Sequence, residues 1–188
     1  MQLVLSCVVL GVGVAFLLDA ALGSDGYSTL ISGLTKASGL PFVVVNVGVG
    51  ILLIALAWAR GTRPGLGTVL QTVVVGGTVS AVGPLLPTPL TLGPRFVELA
   101  VAFVLLSLGV AGYLASHLGA GPAEAAAISF DPPLPFKWSY TVLQAIGALA
   151  GWAFGAAVGP GTLLVSLCVG PTVDLLTRVL FHSRRVSA

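Results

Sequence analysis

Asp19 falls near the end of the first apolar stretch of the chain, and Asp174 lies well inside the last. A carboxylate at the centre of a membrane-spanning helix costs about 2.5–3.5 kcal/mol on insertion scales, and less near an interface. Each therefore needs a partner or a task. Asp174 has Arg178 one helical turn on, so an intrahelical ion pair and a pathway-lining position are equal readings. Asp19 has no basic neighbour in its own stretch, which leaves an interfacial position before Gly23 or a proton or cation site. Two further segments correspond to each other: Ser24-Asp25-Gly26-Tyr27-Ser28-Thr29 lies over Ala120-Gly121-Pro122-Ala123-Glu124-Ala125. Both read as helix starts, the first through Ser24 or Asp25 as N-cap and the second through Pro122 in the first turn. Gly65-Leu66-Gly67-Thr68 and Gly159-Pro160-Gly161-Thr162 would let the chain turn tightly into a helix, with each threonine free to bond backbone or ligand. No Gly-Lys-Ser/Thr follows either one, so they are not phosphate loops.

The remaining reactive side chains form no constellation. His117 and His182 sit at the ends of apolar stretches without partners at metal spacing, and Cys7 and Cys168 are isolated within them. Asn46, Gln71 and Gln144 read as interhelical hydrogen-bonding residues. No Ser-His-Asp, zinc or paired-aspartate arrangement can be assembled, so the expectation is a non-enzyme with no metal, no cofactor and no nucleic-acid partner.

The elements that must position these residues follow from composition. The 188 residues are 56% hydrophobic and only 7% charged, with a mean hydropathy of +1.08, against about 25% charge in soluble domains. Lipid is the solvent for most of such a surface. Six spans are expected, at about 2–22, 41–59, 66–86, 96–117, 137–157 and 161–181, making an all-α membrane protein. Short helices at 25–35 and 122–130 follow the first and fourth, either re-entrant or lying on the interface. Leu3-Val4-Leu5-Ser6-Cys7 lacks the basic and apolar regions of a lipoprotein signal, and the first stretch reads as a span that stays. With the N-terminus inside, Arg60, Arg63, Lys137, Arg178, Arg184 and Arg185 fall on the cytoplasmic side and only Lys36 and Arg95 outside. That asymmetry places both termini in the cytoplasm.

The glycine segments belong to a longer repeat. Ala57–Thr68 aligns with Gly151–Thr162, 94 residues on, sharing Trp, Ala, three glycines and Thr, and Val75–Ser80 aligns with Val169–Asp174. Gly13–Leu18 and Leu22-Gly23 align with Gly109–Leu114 and Leu118-Gly119, 96 residues on. The halves 1–90 and 91–188 then hold three spans each, and an odd number turns the second half upside down. Arg60 and Arg63 become Phe154 and Ala157, as a move to the outer face requires.

Arg63-Pro64-Gly65-Leu66-Gly67-Thr68-Val69-Leu70, Leu118-Gly119-Ala120-Gly121-Pro122, and Gly161-Thr162 followed by Val169-Gly170-Pro171 and Asp174 resemble the YczE-like bacterial membrane proteins, related in pattern to the YitT-like ones. The resemblance covers residues 10–180. It implies a polytopic bacterial inner-membrane protein with an internal duplication, of a kind suspected to transport. The chain departs from that pattern at Asp25-Gly26-Tyr27-Ser28, at Glu124, and at Ser80, where an acidic residue is usual. Inverted repeats are common in secondary transporters, so the leading expectation is a permease for a small anionic or zwitterionic solute. Its site would draw on Asp19, Gly23, Ser24, Asp25, Ser28, Gly67, Thr68, Gly121, Glu124, Gly161, Thr162 and Asp174. The alternative is a non-transporting accessory subunit that binds a lipid or a partner. The short length suits a homodimer.

Overall fold

The computed structural model describes residues 1–63, 65–87, 91–116 and 118–181, without the side chains of Lys137, Asp174, Arg178 and Phe181. His117, His182 and the Asp174–Arg178 pairing thus lie outside the described residues. Among those described, the chain is all-helical: α1 (Gln2–Asp19), α2 (Gly26–Ser38), α3 (Phe42–Ala59), α4 (Leu66–Val82), α5 (Leu92–Leu114), α6 (Pro122–Ile128), α7 (Phe136–Ala153) and α8 (Pro160–Phe181), with one 3₁₀ turn at Gly83–Leu85. Five of these helices, α1, α3, α4, α5 and α8, are long and apolar enough to cross a membrane. The remaining expected span, the fifth at 137–157, is α7, as long as α1 but less apolar, because its first half carries Lys137, Ser139, Thr141 and Gln144.

Local chemistry sets the boundaries. Asp25 is the N-cap of α2, its Oδ2 accepting from the Ser28 N–H at 3.0 Å, which satisfies one of the first-turn donors. The helix runs on to Ser38, three residues past the expected end, and stops where Gly39 turns left-handed at φ 71°. Pro41 and Pro135 occupy the caps before α3 and α7. The second short helix ends at Ile128, two residues early.

Large apolar side chains face outward along the long helices, with Leu52 69% and Leu167 70% exposed. The inner contacts depend on glycine. Where α1 crosses α5, a Cβ on Gly13 would stand 2.7 Å from Leu106 N, and one on Gly109 would stand 2.6 Å from Leu10 N. Gly13 and Gly109 are aligned positions, as are Leu10 and Leu106, so each contact repeats the other with the halves exchanged. Without a hydrophobic drive between helices in lipid, close backbone approach at small residues is what dispersion packing requires.

The short helix α2 lies along α7 in the same chain direction. Gly26 packs on Gln144 and Gly147, Thr29 and Gly33 on Gly151, and Lys36 Nζ donates to Gly155 O at 3.1 Å. α2 therefore begins beside the middle of α7 and ends beside its C-terminus. In the other half α6 packs on α3, with Arg60 Nε donating to Ser129 O at 3.0 Å and its guanidinium 4.1 Å over the Phe130 ring. Each short helix thus has its C-terminal end fastened by a basic residue to a long helix of the opposite half. Overpacking costs about 1–3 kcal/mol, so Gly151→Leu, which drives a side chain into Thr29 and Leu30, is expected to lower the melting temperature in detergent. Gly170→Ala, with nothing within 4 Å, is expected to leave it unchanged.

Candidate functional site

The chain's three tyrosines converge on two carboxylates. Asp25 at the start of α2 and Glu124 in the first turn of α6 lie within electrostatic reach of each other. Tyr113 from α5 donates its hydroxyl to Glu124 Oε1 at 3.1 Å. Tyr27 and Tyr140 each lie close enough to sense both acids. Two carboxamides complete the arrangement. Gln144 accepts from the Tyr27 N–H on Oε1 at 2.8 Å and donates from Nε2 to the Tyr140 hydroxyl at 2.9 Å. Gln71 of α4 places its Oε1 against Gly121, where Glu124 Oε2 also rests, and that oxygen is buried with no hydrogen-bond partner.

Burial pushes the Asp25 carboxyl above the usual carboxylate range, opposed by the Ser28 hydroxyl and N–H. It pushes Glu124 up as well, opposed by the residue's own N–H and the Tyr113 hydroxyl, with the Asp25 charge adding to the rise. Burial, then the charges of Glu124 and Asp25, raise the Tyr27 phenol. The arrangement is two carboxylates, three phenols and two carboxamides. It can hold a proton or a positive charge, and its phenols and amides can order a small polar solute.

The surrounding shell is fixed by hydrogen bonds. Tyr27 donates its hydroxyl to Asn46 Oδ1 at 3.0 Å, and Asn46 Nδ2 donates to Thr72 O at 2.6 Å. Ser24 and Thr29 bond each other at 2.8 Å between hydroxyls. Asn46, Gln71 and Gln144 were expected between helices; Asn46 and Gln144 make such bonds, and Gln71 stands at the acid pair instead.

The Gly-x-Gly-Thr segments meet the Leu-Gly turns crosswise. The Gly67 N–H donates to Leu118 O at 2.8 Å, and the Gly161 N–H donates to Leu22 O at 2.8 Å. These bonds are again one contact with the halves exchanged. The turns need glycine, since Gly23 has φ 100° and Gly119 φ 130°. Thr68 Oγ1 donates to Ala120 O at 2.6 Å, whereas Thr162 Oγ1 accepts from the Gly159 N–H at 3.4 Å.

Of the expected site residues, Asp25, Ser28, Gly121 and Glu124 stand together at the acid pair. Gly67 and Thr68 form one crosswise contact, Gly23, Gly161 and Thr162 the other, and Ser24 secures α2. Asp19 is elsewhere: it lines a cleft of about 410 Å³ with Leu18, Phe42, Val79 and Ser80, within reach of Glu98, which Arg95 also approaches. The Asp174 side chain is outside the described residues. Sequence reasoning missed all three tyrosines. Their scarcity was a signal, and so was the repeat, because Tyr140 falls 94 residues after Asn46. No group of three or more His, Cys, Asp or Glu able to hold a metal occurs among the described residues.

The family described as "Family of unknown function (DUF6198)" matches residues 1–178. An uncharacterized protein of Haemophilus influenzae is 26% identical over 181 residues, covering 92% of this chain and 80% of that one. The uncharacterized membrane protein YczE of Bacillus subtilis is 24% identical over 168 residues, covering 87% and 78%. These bear out the YczE-like resemblance and the reading as a membrane protein. No solved structure matches the chain.

Proposed function

The chain belongs to the DUF6198 family of unknown function, and from its site we propose that it is a small multi-pass permease whose two halves are inverted repeats. The observation that carries the reading is that Asp25 and Glu124, one from each half, lie within electrostatic reach of each other beside the three tyrosines, at the N-terminal ends of two short helices. The crosswise contacts support it, since exchanging the conformations of two equivalent halves can open a shared site to either side in turn. The start of α2 beside the middle of α7 supports a re-entrant rather than interfacial helix. The six spans would count α7, whose polar residues face the site through Tyr140 and Gln144. Two carboxylates favour a solute with an amine end, zwitterionic rather than a bare anion.

Both termini then face the cytoplasm of a bacterial cell. Cysteines placed at Arg63 and Ala157 are expected to react with a membrane-impermeant thiol reagent from opposite sides; labelling from the same side removes the inversion. Transport itself is tested in liposomes with a panel of amino acids, organic amines and organic anions, with and without a proton gradient. Gradient-sensitive uptake of an amine-bearing solute supports the permease. No flux across the panel, together with copurification of a stoichiometric partner, favours an accessory subunit.

A further inference from the structure

We propose that Glu124 is a proton-binding site, carrying its proton on Oε2 and donating it to Gln71 Oε1, while Asp25 keeps the negative charge. Gln71 Oε1 is sealed from water and without a donor, and it and Glu124 Oε2 both border the space that a Cβ on Gly121 would fill. Two acceptor oxygens this close repel unless a hydrogen lies between them, carried by the acid or by a turned Gln71 amide; with the Asp25 charge in reach and no described cation beside Glu124, the acid is the one to carry it. A protonated Glu124 supplies that hydrogen and still accepts from the Tyr113 hydroxyl on Oε1.

The division of charge follows from the surroundings. Asp25 caps the thirteen-residue helix α2, receiving the Ser28 N–H at 3.0 Å, and a helix N-terminus favours the ionised form. Among the described side chains, the titratable groups facing Glu124 are Tyr113 of α5, Tyr140 of α7, and Asp25 and Tyr27 of α2. The neighbour from α4 is the uncharged Gln71, and Arg60 of α3 turns to the far end of α6, onto Ser129 and Phe130. No described cation offsets a second negative charge, and like charges sharing a site raise one of the two acids. A cationic solute group entering between the acids would favour ionised Glu124, which releases its proton to water as the solute's charge takes its place. That coupling rests on the permease reading; the protonation does not.

Infrared spectra of the full chain in lipid bilayers, recorded from acid to alkaline pH, test the assignment without any solute. A protonated-carboxyl carbonyl band is expected at neutral pH. It is lost in Glu124→Gln and persists in Asp25→Asn, where removal of the neighbouring charge moves its titration to lower pH. In Gln71→Leu the band moves to higher frequency, as for an acid that has lost its acceptor, a shift that a purely structural role would not produce. A wild-type spectrum with no such band at neutral pH, or a band unchanged in Glu124→Gln, overturns the proposal. Flux without the band leaves a permease that lacks this proton site, and the band without flux leaves the proton site in a protein that is not a permease.

Discussion

A chain carrying Asp25→Asn and Glu124→Gln together is expected, on the permease reading, to lose solute flux by about 100-fold or more while melting at a higher temperature than wild type in alkaline buffer. Removing a charged contact from a buried site costs about 2–5 kcal/mol of binding, and every 1.4 kcal/mol is about tenfold. Stability moves the other way. Both carboxyls are raised above their usual range, chiefly by burial, so the folded protein holds protons that the unfolded chain releases. Their contribution is fully present below the ordinary carboxylate range and is lost as pH rises through the raised values. The wild type therefore weakens from acid to alkaline pH in thermal melts, and the neutral variant lacks that decline. A function lost while stability is gained marks a site kept for its task. A double variant that melts below wild type in alkaline buffer would make the pair structural.

Gly67→Val and Gly161→Val should each destabilise the fold by about 3 kcal/mol or more. Both glycines donate their N–H to a turn of the opposite half. A Cβ at 67 would stand 2.8 Å from Leu118 O, and one at 161 would press on Gly23 O and stand 3.0 Å from Leu22 O. Overpacking alone costs about 1–3 kcal/mol, and the displaced hydrogen bond adds about 1 kcal/mol. Gly77→Ala, which meets nothing within 4 Å, controls for helix composition and should be neutral. Thermal melts in detergent separate these outcomes. Tolerance of valine at both positions would remove the crosswise contacts from the account.

The glycine positions at the helix contacts were legible because glycine is unforgiving where backbones touch. Gly13 and Gly109, like Gly67 and Gly161, hold aligned positions for the same steric reason. Which half each segment touches was not written in the alignment, since an offset gives equivalence and says nothing of contact. The acid pair was half legible. Asp25 and Glu124 were drawn from two aligned loops, yet they are not aligned residues: Glu124 falls over Ser28, and Asp25 over Gly121. Tyr113, at the end of α5, and Tyr140, in α7, flank the second loop in sequence, but neither was aligned with an acid, and packing is what turns them onto the pair. Asp19 was grouped with the site because an intramembrane acid invites it, but it sits in a separate cleft with Glu98 nearby. The end of α2 was placed three residues early, and Gly39, whose left-handed backbone stops the helix, was the signal for it.

The central claim, that one acid from each half joins a single site, is tested most directly by a double-mutant cycle. Wild type, Asp25→Asn, Glu124→Gln and the double variant are melted in acid and in alkaline buffer. In alkaline buffer each single change relieves the repulsion that the other would also relieve. The double variant should then gain less than the summed single gains, by on the order of 0.5–3 kcal/mol, and the difference should vanish in acid, where both groups are protonated. Strict additivity in alkaline buffer would mean that the two carboxylates do not share a site.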